Sequence, residues 1–190
     1  EYAARTIRPK IHKYLKDYLF EFKPTRIKKP SLNTRVGGLD LSDIDAVAKK
    51  LSIDKGVLPV SDFFRGGTSG AKKIFRKFLR HRFGQYVANR NQPQTDDVSH
   101  MSKYLHFGQI SPLYLAFKVL KTDKRFNEAR EAFLEELIVR RELAMNFVYY
   151  TPNYDAYTCL PAWAQKTLAE HKKDRREYHY TRRQLENAQT

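Results

Sequence analysis

The sequence predicts an all-α protein, a bundle of about six to eight helices. Apolar residues recur at helical spacing along most of the chain, most clearly at Ile74, Phe75, Phe78, Leu79, Phe83, Tyr86 and Val87. Helix punctuation is present at the right places. Ser111-Pro112 offers an N-cap followed by proline at the first helical position, and Thr151-Pro152-Asn153 is a stop. No pair of stretches alternates in the manner of strands.

Residues 8–23 read as a short amphipathic helix, with Ile11, Tyr14, Leu15, Tyr18, Leu19 and Phe22 on one side. Residues 24–38 hold Pro24, Pro30, Gly37 and Gly38 and read as a linker. Asp40 to Leu51 is predicted as a second helix, with Leu41, Ile44, Val47, Ala48 and Leu51 on one face. Residues 54–70 read as loop, with Gly56, Pro59, Gly66, Gly67 and Gly70. Its Gly66-Gly67-Thr68-Ser69-Gly70 run lacks the Lys-Ser/Thr ending of a phosphate-binding loop and reads as flexible.

A strong helix is predicted over 70–90, ended by Asn89-Arg90-Asn91-Gln92-Pro93. A polar loop follows over 94–103, and the helix started by Ser111 runs to about Leu120. The longest predicted helix covers 124–149, with Phe126, Ala129, Phe133, Leu137, Ala144, Phe147 and Val148 along one side. Ala162 to Arg176 is predicted helical again, and Trp163 within it is read as core in preference to a base-stacking platform. The organisation is a helix and linker over 1–38 and a helical domain over 39–190.

The 190 residues carry 36 Lys plus Arg against 21 Asp plus Glu, a net charge of +15. Positive charge clusters at Lys72 to Arg82, at Lys172 to Arg183 and at Arg26 to Lys29. That excess points to a polyanionic partner. One Cys excludes a disulfide framework and a Cys-based zinc cluster, and fits a reducing compartment. No apolar run is long enough for a membrane span, and the first residues do not form a signal peptide. The chain begins without Met and reads as a segment of a larger protein.

Two constellations can carry chemistry. Arg140 lies between Leu137 and Ala144 on an apolar helix face, where a guanidinium is costly unless paired. Glu136, four residues earlier, is in the favourable order for a pair. The pair either locks the core or lines a ligand cavity within the bundle. Ser99-His100-Met101-Ser102 offers hydroxyls and backbone N–H groups ahead of a helical segment, either as ordinary caps or as a phosphate cradle. The six scattered His suggest no metal site, and Cys159 has no evident base partner.

Tyr104-Leu105-His106-Phe107-Gly108-Gln109-Ile110-Ser111-Pro112 resembles the flavin-domain signature of DNA photolyases. Phe133-Leu134-Glu135-Glu136-Leu137-Ile138-Val139-Arg140-Arg141-Glu142-Leu143 resembles the family's adjoining helix. Its Val-Arg-Arg-Glu-Leu wording, with Asn146-Phe147 and Trp163-Ala164, is similar to class II cyclobutane pyrimidine dimer photolyases. The residues around Arg175-Arg176-Glu177-Tyr178 and Tyr180-Thr181 continue the likeness.

The resemblance implies a fold like the N-terminal part of the helical FAD-binding domain, residues 1–38 being the interdomain helix and linker. It implies an enzyme that binds FAD, flips a pyrimidine dimer out of DNA and splits it with light. The excited reduced flavin gives an electron to the dimer, the cyclobutane ring opens, and the electron returns. Ser99, His100, Met101 and Ser102 match the loop that holds the FAD phosphates, and Tyr86 matches an aromatic that contacts the cofactor. Glu136 matches the carboxyl group that hydrogen-bonds the flipped dimer, a role that asks for a raised pKa in an apolar surround. Arg140 matches an arginine near flavin and lesion.

Some positions depart from the family pattern. Lys103 stands where Pro is usual before Tyr-Leu, and Asp97-Val98 replace small polar residues ahead of the phosphate loop. Val139 stands where class I enzymes place a dimer-stacking Trp. The expected partner is dimer-containing DNA, with no membrane. The expected location is the cytoplasm, or the nucleus in a eukaryote. The segment alone is expected not to repair DNA. The alternatives are a cryptochrome-type photoreceptor, or a basic nucleic-acid-binding module without enzymatic activity.

Overall fold

The apolar stripe read at 74–87 does form the centre of the core, but two helices carry it. Helix α1 spans Ala4–Tyr18, α2 Ile44–Lys49, α3 Thr68–His81 and α4 Tyr86–Asn89. A 3-10 turn, Phe83–Gln85, separates α3 from α4 and turns the chain back on itself. Gly84 in this turn packs closely on Phe126: a Cβ there would come within 3.1 Å of its ring. The chain then forms α5 (Ser102–His106), α6 (Pro112–Leu120), α7 (Asn127–Leu134), α8 (Arg141–Tyr150), α9 (Ala162–Glu170) and α10 (Arg182–Glu186). The computed structural model describes residues 3–21, 23, 25–29, 33–34, 37–52, 56 and 60–189; among these there is no strand. Phe22, Pro24, Pro30 and Pro59 of the sequence reading lie outside the described residues.

Aromatic rings fill the centre. Phe133 of α7 lies with its ring centroid 5.8 Å from Phe75, 5.9 Å from Phe78 and 5.7 Å from Tyr86. Phe83 meets Phe78 edge to face at 5.5 Å. Leu115, Ala116 and Val119 of α6 close the cluster from one side, and Met101 and Tyr104 from another. Each fully buried large apolar side chain contributes about 1.5–3 kcal/mol. This cluster is what ties α3, α4, α6 and α7 together.

Several boundaries differ from the sequence reading. Helix α1 begins at Ala4 and runs through Pro9, because Ala4 and Ile7 bury against Val139 and offset the backbone bond that Pro9 cannot make. Helix α2 is shorter than predicted and buries none of its residues; its Ile44 is 69% exposed. Asp43 caps it by accepting from the Ala46 N–H at 2.9 Å. The glycine run is a tied helix start. The Gly67 N–H donates to Gln109 Oε1 at 2.8 Å, and the Thr68 hydroxyl donates to the Gln109 carbonyl at 2.8 Å. A Cβ at Gly70 would fall 2.8 Å from the Arg65 carbonyl oxygen, which also accepts the Tyr104 hydroxyl.

The long helix predicted over 124–149 is four pieces. A 3-10 turn at Lys124–Phe126 precedes α7, and a π-helical stretch, Glu135–Arg140, joins α7 to α8. Beyond the stop at Thr151, α9 ends at Glu170 and a 3-10 turn runs to Lys173, short of the predicted Arg176. Helix α10 was not predicted, although Thr181 and Gln184 form a reciprocal capping box at its start. Trp163 is not core: it is 72% exposed at the first turn of α9. Ser111 and Pro112 start α6 as predicted, and it ends at Leu120.

Candidate functional site

The polar loop before α5 is built around two carboxylates that each bond to protein partners, Asp96 on the exposed side and Asp97 half-buried. Asp96 accepts from Arg82 Nη1 through Oδ2, and its Oδ1 lies 2.5 Å from His100 Nε2. Burial alone would push the Asp96 carboxyl up, but its His100 and Arg82 hydrogen bonds outweigh that and hold it below the usual range. Asp97 accepts from Asn89 Nδ2 at 2.6 Å, which ties the loop to the end of α4. The negative charge that Asp97 brings to the loop is therefore engaged.

His100 takes a left-handed backbone (φ 56°), an uncommon state for a residue with a Cβ. Lys103 donates through Nζ to the His100 carbonyl at 3.1 Å. The same ammonium lies 3.5 Å from the centroid of the Phe64 ring, and the Phe64 ring packs at 5.2 Å on the His100 ring. Burial pulls the Lys103 pKa down, with Asp96 acting against it. Ser99 Oγ accepts from the Met101 N–H at 3.3 Å. Met101 itself is 2% exposed and is an anchor of the core, so its side chain faces away from any ligand on the loop surface. Ser102 is exposed at the first position of α5.

The second half of the site lies where α4 meets the π-helical stretch. Tyr86 is buried among Phe78, Phe83 and Phe133. Burial raises its phenol pKa, against the opposing pull of Arg90. Arg90, one turn beyond Tyr86, lies 5.8 Å from its ring centroid. It donates through Nη1 to Glu136 Oε1 at 3.0 Å. Glu136 is 46% exposed on this pair, so its surround is ionic and open rather than apolar.

Glu136 and Arg140 do not pair with each other. The π-helical turns shift the register, and Arg140 Nε lies 3.5 Å from Glu135 Oε1 instead. Glu135 also accepts both prongs of Arg8 from α1, at 3.0 and 2.7 Å. Arg140 is half-exposed, so the face it shares with Ala144 and Phe147 is not buried at this point. It lines a cleft of about 730 Å³ with Leu143, Ala144, Phe147, Tyr150 and Pro161.

The structure thus brings Tyr86 and Glu136 to one place and holds Ser99 to Ser102 in one loop. The Asn89–Asp97 bond joins those two places, while Arg140 opens onto a separate cleft. Arg90, Arg82 and Lys103 were missed as site residues. Arg90 stands four residues after Tyr86, a helical neighbour that the i, i+4 rule could have found. The loop's groups suited to a phosphate are two serine hydroxyls and the Lys103 ammonium, while His100 and Arg82 are already bonded to Asp96. Among the described residues no cluster of His, Cys, Asp and Glu could hold a metal ion.

The described core is all-helical and carries a hydroxyl-bearing loop tied through Asn89–Asp97 to the helix end that holds the Arg90–Glu136 pair. No family model matches the chain. Over its whole length the chain is 44% identical to the deoxyribodipyrimidine photo-lyase of Methanothermobacter thermautotrophicus. It is also 37% identical to that of the marsupial Potorous tridactylus and 38% identical to that of rice, again across the whole chain. Over its whole length the chain is thus similar to part of the deoxyribodipyrimidine photo-lyases. It spans 35–40% of the length of these relatives.

Proposed function

We propose that this chain is part of a light-dependent DNA repair enzyme of the class II type, which splits cyclobutane pyrimidine dimers with reduced FAD. The observation that carries the reading is the Tyr86–Arg90–Glu136 arrangement beside the Asp96–Lys103 loop, in a chain whose relatives are named for action on dipyrimidines. Bound reduced FAD would supply the light-driven electron.

The chain's own residues bind and orient. Ser99 and Ser102 offer hydroxyls to the cofactor phosphates, with Lys103 and Arg82 supplying positive charge nearby. Arg82 and Asn89 hold Asp96 and Asp97 in the loop, and the Arg82 guanidinium offsets the Asp96 charge. Tyr86 presents its phenol at the rim of the aromatic core. Arg90 holds Glu136 at a fixed place where its carboxyl group can address a flipped pyrimidine dimer. Residues 1–38 act as the interdomain helix and linker, and 39–190 as part of the FAD-binding domain. No helix among the described residues is long and apolar enough to cross a membrane.

The test uses the full-length protein loaded with FAD. Illumination should convert a thymine-dimer oligonucleotide to its monomeric form, and Glu136→Gln should lower that rate by about tenfold or more at unchanged flavin content. A flavoprotein that retains FAD but leaves the dimer intact under light is a photoreceptor and not a repair enzyme.

A further inference from the structure

The π-helical stretch Glu135–Arg140 divides its charged side chains between two places, Glu136 going to Arg90 while Glu135 and Arg140 gather with Arg8. In an unbroken α-helix Glu136 and Arg140, four residues apart, share a face and pair. Here Glu136 turns to Arg90 at 3.0 Å, Arg140 turns to Glu135 at 3.5 Å, and Glu135 turns to Arg8. A π-helical stretch has poorer intrinsic geometry than an α-helix, persists where its surroundings hold it, and gathers at functional sites.

Two sets of contacts hold this stretch. Its apolar residues face opposite ways: Leu137 buries in the main aromatic core, while Val139 buries against Ala4 and Ile7 of α1. Its polar anchor is Arg8, one turn beyond Ala4. Arg8 donates through Nε to Glu135 Oε2 at 3.0 Å and through Nη2 to Glu135 Oε1 at 2.7 Å. A two-pronged guanidinium–carboxylate bond fixes orientation as well as distance. Glu135 directly precedes Glu136, so fixing the first carboxylate fixes the direction in which the second leaves the helix.

We propose that Arg8 is a positioning residue for Glu136, its fork on Glu135 holding the π-helical register that directs Glu136 to Arg90 and keeps it apart from Arg140. The proposal rests on the reading of Glu136 as the carboxyl group that addresses the dimer. Arg8 touches neither cofactor nor substrate. Without it the stretch can relax to α-helical register, in which Glu136 leaves Arg90 for Arg140.

The experiment measures repair of a thymine-dimer oligonucleotide at saturating DNA under single-wavelength light, using the FAD-loaded full chain. Arg8→Met, Arg8→Lys and Glu136→Gln are compared with the unmodified protein. Arg8→Met should lose about tenfold in repair per absorbed photon, the scale of a misplaced reacting group. Flavin content and affinity for the dimer-containing DNA should stay within about twofold. Arg8→Lys, which keeps the charge but not the fork, should fall between the two.

Repair by Arg8→Met at the unmodified rate overturns the proposal. So does a loss of repair that only parallels a loss of flavin, because Arg8 would then be structural alone. If Glu136→Gln repairs normally, the reading of Glu136 fails and the Arg8 proposal falls with it. If Glu136→Gln is impaired and Arg8→Met is not, only the Arg8 proposal falls.

Discussion

Arg90 joins Tyr86 to Glu136: its guanidinium lies 5.8 Å from the Tyr86 ring centroid and donates to Glu136 Oε1 at 3.0 Å. The contact spans 46 residues of sequence and connects the end of α4 to the π-helical stretch. The two ends differ in exposure, since the phenol ring is buried and the carboxylate is open to solvent. Burial raises the Tyr86 pKa and Arg90 works against it by favouring the phenolate. Arg90→Met should therefore move the Tyr86 titration further up. The check is the phenolate absorbance difference between the two proteins as pH rises through 10. The stability cost should be about 1 kcal/mol or less, because the ion pair is partly exposed.

Phe133 is the ring on which the core depends. It meets Phe75, Phe78, Phe83 and Tyr86, which come from three separate segments. Phe133→Ala should cost about 3–5 kcal/mol, the range for an aromatic removed from a packed core. Phe126→Ala, at the edge of the same cluster, should cost less. Urea denaturation of the two variants, fitted with a common slope, measures both values.

The Arg8–Glu135 fork makes stability depend on acid. The Arg8 hydrogen bond, joined by its charge and opposed by burial, holds the Glu135 carboxyl below its ordinary 4.5. A carboxyl depressed in the folded state contributes stability that is fully present above 4.5 and is lost as pH falls through the lower folded value. The stability difference between the unmodified protein and Arg8→Met should thus be largest near neutral pH and shrink in acid. Denaturant melts at matched ionic strength across that range would show it; a difference that grows toward acid contradicts the assignment.

The helical class and the core stripe are legible in the sequence because both depend on local periodicity. Phe75, Phe78, Phe83 and Tyr86 are core in the structure, as their spacing requires. The Ser111-Pro112 start is equally local, since a capping hydroxyl and a proline act within one turn. What the spacing does not reveal is the break at Gly84, where the chain packs against Phe126 more than 40 residues away. The π-helical stretch is hidden for the same reason. Its cause lies in α1, and an unbroken 3.6-residue period assigns Glu136 to Arg140. Trp163 misleads because apolar character alone does not bring a side chain under cover. Within the candidate site, Arg90 could be read from its i, i+4 spacing to Tyr86, while the partners of Arg82 and Arg8 become visible only when the chain is folded.

Lys103 is the last residue whose behaviour follows from its surroundings. Its ammonium lies under the Phe64 ring and donates to the carbonyl of the left-handed His100. Burial lowers its pKa, with Asp96 opposing. A lysine depressed in the folded state binds fewer protons there than in the unfolded chain, so stability rises with pH between the folded value and the ordinary 10.5. Lys103→Met keeps most of the aliphatic stem under Phe64 but has nothing to titrate. The stability of the unmodified protein relative to Lys103→Met should therefore climb as pH approaches 10.5 and level off above it. Paired denaturant melts from neutral to alkaline pH measure that difference directly. A flat difference would mean that the ammonium is hydrated in solution and that the Phe64–Lys103–His100 stack does not hold the loop.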